Sequence, residues 1–212
     1  MTLGIVGKKL GMTQVFLDDG TVESVTVVQA GPCVVTQVKT KARDGYEAVQ
    51  VGFGESKRLT KPEEGHLKRA NGKFTHLREF PATNVDALQV GQKVEASIFK
   101  AGDLVDVSGV TKGRGYGGVV KRHHFRGGPK THGQSDRQRR PGASSAGTTP
   151  GKLWKGHRMS GHLGVDNVTV KNMTVVRVDA ERGLVLLRGA VPGANQGVVT
   201  VRPAKSSQGK GG

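Results

Sequence analysis

Apolar and polar positions alternate along much of the chain. "ESVTVVQA" (23–30) and "YEAVQVGF" (46–53) carry the two-residue period of strands with one buried face. Val- and Thr-rich runs at 3–7, 12–17, 32–40, 93–99 and 103–108, separated by Gly, Asp or Pro, predict further strands. "NVTVKNMTVVRVD", "GLVLLRGAV" and "GVVTVRP" extend the pattern towards the C-terminus, with "DAERG" turning one hairpin and "DDG" at Asp18–Gly20 another. Only "KPEEGHLKRAN" (61–71) reads as a helix of any length: Pro62 and two glutamates suit its first turn, Lys68 and Arg69 its last. A second short helix is expected after the glycines, near 117–122. Many short strands and little helix predict a mainly β fold, a barrel or sandwich.

The pattern fails between Ser108 and Gly164. Those 57 residues hold twelve Lys and Arg, five His, fourteen Gly and a single acid, Asp136. Leu, Ile, Val and Phe supply six of them, too few for a charged segment to fold alone. Of the formal charge of +16, the segment carries +11 and the other 155 residues +5. The expected organisation is therefore a barrel body over 1–107 and 165–203, a basic extension at 108–164 inserted between adjacent strands, and a flexible basic tail at 204–212. If the extension leaves and returns as a hairpin, each arm of about 28 residues reaches at most about 90 Å.

Such an excess of cation attracts polyanions and says nothing of fold. Nucleic acid and an acidic membrane surface are the two candidates. No apolar run approaches the roughly 20 residues of a spanning helix, and "MTLGIVGKKLGMT" lacks the order of a secretory signal. The expected compartment is the cytoplasm. Cys33 is the only cysteine, which excludes an intrachain disulfide and thiolate zinc sites; its β-like apolar run predicts a buried side chain.

Three chemistries compete for the extension. "GRGYGG" (113–118) matches G-x-G-x-x-G, but the helix signal after it stops at "HHFRGGP", and no second strand follows to complete a dinucleotide site. The histidines lack Cys or carboxylate partners at zinc-site spacing, so no metal is expected. Ser160 and His162 have no carboxylate nearby in sequence and no nucleophile elbow, so no catalytic residue is expected. The third chemistry is nucleic-acid binding. Lys112, Arg114, Lys121, Arg122, Arg126, Lys130, Arg137, Arg139, Arg140, Lys152, Lys155 and Arg158 recur every few residues as phosphate partners. His123, His124, His132, His157 and His162 suit phosphate bonding or base stacking, and Trp154, with Tyr116 and Phe125, offers aromatic surface. A solvated charged face would mix both signs. Pro and Gly at Gly127–Pro129, Pro141–Gly142 and Pro150–Gly151 let a chain bend within a crowded, folded RNA.

"FKAGDLVDVSGVTKGRGYGGVVKR" (Phe99–Arg122) resembles the signature of the ribosomal protein L3 family of the large subunit. "GIVGKKLGMTQVF", "THGQSDRQRRPG", "TTPGKLWKGHRMSGHLG" and "GAVPGANQGVVTVRP" resemble the family's other blocks, in the same order. The resemblance spans essentially the whole chain and is of bacterial type. It implies a closed, translation-protein-like β-barrel and a loop threaded through large-subunit (23S-type) rRNA. It also implies early subunit assembly, no enzymatic role, and no cofactor beyond the magnesium of the RNA environment. Neighbours of the L-fourteen and L-nineteen types are implied, and no homo-oligomer. The tip of the loop, near the peptidyl-transferase centre, maps to Ser144, Ser145, Ala146, Gly147 and Thr148. Many relatives read "GSIG" where this chain has Gly142, Ala143, Ser144 and Ser145, and some carry a methylated Gln where this chain has Ala146. Two other readings stay open on composition alone: a free-standing RNA chaperone, and a nucleotide-dependent enzyme using "GRGYGG".

Overall fold

The computed structural model describes residues 3–82, 85–145 and 147–207, the side chains of Asp86 and Ser207 excepted. Among them the strands are β1 (Ile5–Phe16), β2 (Val22–Ala30), β3 (Cys33–Lys39), β4 (Ala48–Glu55), β5 (Phe74–Pro81), β6 (Lys93–Val94), β7 (Leu104–Val110), β8 (Tyr116–Gly117), β9 (Gly161–His162), β10 (Asn167–Asp179), β11 (Leu184–Arg188) and β12 (Val198–Pro203). The helices are short: α1 (Lys41–Asp44), α2 (Lys61–Leu67) and α3 (Val119–His123). The fold is mainly β, as the alternation predicts. The chain divides into two compact units, 1–111 with 167–212, and 112–166.

In the first unit six strands pair in the order β1-β12-β7-β10-β11-β2, and β2 pairs back onto β1. Each strand of this ring therefore has a neighbour on each side over part of its length, and Gly11–Phe16 of β1 pair with β2 alone. Its interior comes from alternate residues: Val105 and Val107 on β7, Val185 and Leu187 on β11, Val199 and Val201 on β12 are all at most 1% exposed. The residues between them on β12, Val198, Thr200 and Arg202, are only half-buried, which is the two-residue period made physical. β7 and β10 lie side by side with Val110 opposite Asn167, so the intervening segment leaves and re-enters at one strand pair.

A second sheet, β5-β4-β3-β6, shares the same core through Val35, Val49, Val51, Phe53 and Phe80. The sequence pattern merges these strands with those of the ring, and the structure separates them. The sequence pattern predicts no strand at β5: "FTHLREFP" has no clean period, and among its eight residues only Phe80 is buried. The strand expected at 93–99 ends at Val94, and Ala96–Ile98 forms a single 3-10 turn. Ala96 and Phe99, three apart, are the buried pair there while Ile98 is exposed, a helical rather than an alternating spacing. The runs at 3–7 and 12–17 are one strand, β1, carried through a register shift between Lys9 and Gly11. Lys9 is buried at that shift, its Nζ donating to the Val191 carbonyl at 2.8 Å.

The predicted helix at 61–71 is α2 followed by a 3-10 turn to Ala70. Thr60 and Glu63 form a capping box at its start, and Asn71, at φ 48°, ends it in the left-handed region. The expected boundaries at 108 and 164 shift inward at one end and outward at the other. Ser108–Val110 are hydrogen-bonded into β7, while Val165 and Asp166 belong with the second unit. The expected tail also starts later: Ala204 is fully buried, its N–H donating to the Leu104 carbonyl at 2.9 Å, and Lys205–Ser207 make a 3-10 turn. Residues 208–212 of that tail lie outside the described residues.

Cys33 sits in the core with its Sγ 3.3 Å from the Val6 carbonyl oxygen. Burial pushes its thiol up to about 11, partly opposed by the bond to Val6. A raised thiol pKa favours the fold fully below its ordinary value of about 9, and that contribution is lost as pH rises from about 9 to about 11. Native protein at pH 8 is therefore expected to resist iodoacetamide, and urea-unfolded protein to react fully. The alkaline fall in melting temperature should be smaller in Cys33→Ala. Rapid labelling of the native thiol would contradict the burial.

Candidate nucleic-acid interface

The second unit is built on a narrow ladder. β8 pairs with β9, Tyr116 opposite His162 and Gly117 opposite Gly161. The Arg114 N–H donates to the Leu163 carbonyl at 2.8 Å, and the Leu163 N–H to Gly115 at 2.9 Å. Gly164, at φ +84°, lies against the Lys112 carbonyl where a Cβ would collide, so only glycine lets the two chain arms come this close. α3 follows β8 and stops at His124, in the left-handed region at φ 60°. The glycine-rich "GRGYGG" thus leads into a five-residue helix, not into the full helix and second strand of a dinucleotide site.

Two expected RNA contacts are used within the unit itself. Arg122 Nη1 donates to the Met159 carbonyl at 2.8 Å, and His123 Nε2 lies 3.0 Å from the same oxygen. Both side chains are half-buried, and both hold α3 against the returning arm. The other sixteen candidates are exposed: Lys112, Arg114, Lys121, His124, Arg126, Lys130, His132, Arg137, Arg139, Arg140, Lys152, Trp154, Lys155, His157, Arg158 and His162. Trp154 is 70% and Tyr116 78% exposed. Large aromatic faces left open beside cations are the requirement for stacking on bases.

Beyond α3 the outgoing arm folds back on itself before the tip. The Gly128 N–H donates to the Gln138 carbonyl at 2.8 Å, and at Gly127 (φ +75°) a Cβ would strike the same carbonyl oxygen. Around this crossing lies a hollow of about 870 Å³ lined by Phe125, Arg126, Arg137, Arg140, Pro141 and the backbone of Gly127–Gly128. Asp136, the segment's one acid, stands 3.5 Å from Arg140 Nη2 and 3.8 Å from Arg137 Nε. Sequence reading counts Asp136 only as a charge; its position shows that it presents two arginines beside the hollow. These exposed pairs are individually weak.

At the tip Ser144, Ser145, Gly147 and Thr148 are exposed, and the Gly147 N–H donates to Ser145 Oγ at 3.2 Å. Ala146 lies outside the described residues. Among the described residues no group of three or more His, Cys, Asp and Glu could hold a metal ion, and no helix is long and apolar enough to cross a membrane.

The family model for ribosomal protein L3 matches residues 66–183. The chain is 54% identical over 211 residues to the large ribosomal subunit protein uL3 of Herpetosiphon aurantiacus, covering 98% of this chain and 100% of that protein. It is 52% identical over 202 residues to uL3 of Dehalococcoides mccartyi strain 195 (95% and 98% covered). It is 50% identical over 208 residues to uL3 of Thermosynechococcus vestitus (97% and 98%). A basic, glycine-rich unit inserted between paired strands, a matching family model and end-to-end identity near one half coincide: the chain belongs to the ribosomal protein L3 family.

Proposed function

We propose that the chain is a structural constituent of the bacterial large ribosomal subunit, working in the cytoplasm, and that it performs no catalysis itself. The observation that carries this reading is the second unit: sixteen exposed cationic, imidazole and indole side chains against two acids, Asp136 and Asp166, the first turned onto two of the arginines. With twelve Lys and Arg against two acids in 112–166, a polyanion is what the unit is built to meet. In this reading the ring of six strands is a closed barrel body of the translation-protein type. Residues 112–166 thread between helices of 23S-type rRNA, binding early enough to nucleate assembly. The uncharged tip, Ser144–Thr148, approaches the peptidyl-transferase centre, where small side chains allow RNA to pack closely. Ribosomal proteins of the L-fourteen and L-nineteen types are its neighbours on the body.

The test is sedimentation combined with limited trypsin digestion. The chain is expected to travel with large subunits at one copy each. Its Arg137–Gln138 and Arg139–Arg140 bonds are expected to be cut first in free protein and shielded in the subunit, while Arg140–Pro141 resists trypsin. A chaperone would instead run mostly free of subunits and cycle among RNAs; that distribution would overturn the ribosomal reading.

A further inference from the structure

A cleft of about 320 Å³ lies on the first unit between β5 and the outer face of β7, β10 and β12. None of the residues around it lies in 112–166. Arg78 comes from β5 and Arg202 from β12, and the ring wall between β12 and β10 carries Thr200, Ser108, Thr169 and Asn167. Register sets the hydroxyls in a row across three adjacent strands: Thr200 opposite Ser108, and Ser108 opposite Thr169. Ser108 Oγ and Thr169 Oγ1 are 2.7 Å apart.

The acids near this cleft are already occupied. Glu79 is bonded to Lys39 Nζ and Tyr46 Oη, both at 2.7 Å, and the Lys39 ammonium holds its carboxyl below the usual range. Asp106, buried, accepts the Asn172 N–H at 3.1 Å and faces Arg202 at 3.6 Å. Arg202 is paired with Asp106 through Nη2 alone, and Arg78 has no carboxylate partner among the described residues. Arg78 is exposed and reaches only its neighbour's carbonyl, Leu77, at 2.9 Å. The Nε of Arg202 is buried with no acceptor among the described residues, and an unpaired buried donor is a group that native proteins normally satisfy. On the same strand as Arg78, His76 is held below its ordinary pKa by burial and then by the positive charge of Arg78 and Lys8, so the local field is positive.

We propose that this cleft is a second RNA-backbone site, on the body unit, taking a phosphate at Arg78 and Arg202 and a ribose hydroxyl at the Ser108–Thr169–Thr200 row. It rests on RNA being the partner of the chain and goes beyond the basic segment. Cations alone would suit an acidic peptide equally. The neutral row decides for RNA, because a ribose 2′-hydroxyl both donates and accepts, as these hydroxyls do.

The experiment compares full-length wild type with Arg78→Ala, Thr200→Val and the pair Arg139→Ala/Arg140→Ala, using transcribed 23S-type rRNA, filter binding across salt and hydroxyl-radical footprinting. Arg78→Ala is expected to weaken binding about 3- to 10-fold and to lower the salt slope by about 1. It should remove one discrete stretch of backbone protection that survives in the Arg139/Arg140 variant. Thr200→Val should thin the same stretch with the salt slope unchanged. Arg78 is exposed, so an unchanged melting temperature is the folding control. An intact footprint in Arg78→Ala, with binding lost in the Arg139/Arg140 variant, overturns the cleft and leaves the ribosomal reading standing. Wild-type binding in all variants sinks both. Loss of polyglutamate binding in Arg78→Ala with RNA binding unchanged assigns the cleft to an acidic protein and also overturns the proposal.

Discussion

Leu187→Ala is expected to destabilise the body by about 2–5 kcal/mol, the range for a buried leucine truncated where neighbours relax only partly. Leu187 is fully buried on β11, paired on one side with Val175 of β10 and on the other with Thr26 of β2, so three strands of the ring enclose the side chain. For a chain of this size the loss corresponds to a fall in melting temperature of roughly 4–20 °C. Val110→Ala, at a 44%-exposed position on β7, is the control and should stay within about 0.5 kcal/mol. The choice of probe matters. Trp154, the one tryptophan, is exposed and belongs to the other unit, so its fluorescence is a poor reporter of the ring. Amide exchange at Val185 and Leu187 reads the ring directly. A Leu187→Ala protein with wild-type protection at those amides would mean the ring core is not packed as described.

The parts of the fold that were legible beforehand are those whose burial repeats locally. "NVTVKNMTVVRVD" was expected as a strand and β10 spans the same thirteen residues, Asn167–Asp179. The helix at 61–71 was readable because Pro62, Glu63 and the terminal cations are local signals. β5 was not readable, because its pairing with β4 is what makes it a strand and pairing is a long-range property. The partition into a ring and a four-stranded sheet is invisible for the same reason: β1 meets β12 nearly 200 residues later. At the candidate interface, composition located the segment but not the division of labour within it. That Arg122 and His123 face the Met159 carbonyl while their neighbours are open depends on how α3 packs. The cleft at Arg78 and Arg202 left no trace in composition at all, since its residues come from four strands and each stands alone in its own stretch of sequence.

Replacing Arg137, Arg139 and Arg140 together with alanine is expected to lower affinity for large-subunit rRNA by roughly 100-fold near physiological salt. Three charge-assisted contacts at roughly 1 kcal/mol each, below the roughly 1.5–3 kcal/mol of such bonds, are enough for that loss. The salt dependence is the sharper reading. Each phosphate neutralised contributes about 0.7–0.9 to the slope of log affinity against log salt, so three lost contacts should flatten it by roughly 2–3. The fold should not register the change: all three side chains are exposed, and the ion pairs of Arg140 and Arg137 with Asp136, at 3.5 and 3.8 Å, are surface pairs worth little. Freed from Arg137 and Arg140, Asp136 would face the RNA as an unopposed negative charge, which pushes the loss further in the same direction. Ser145→Trp is the counterpart. No charge lies between Arg140 and Lys152, so bulk at the tip should leave affinity, salt slope and incorporation close to wild type while altering peptidyl transfer per assembled subunit. Filter binding from 0.05 to 0.3 M salt and quantification of the chain in purified subunits separate the two. If the tip variant fails to assemble while the triple-alanine variant keeps its slope, the arginines are not the anchor and the tip is.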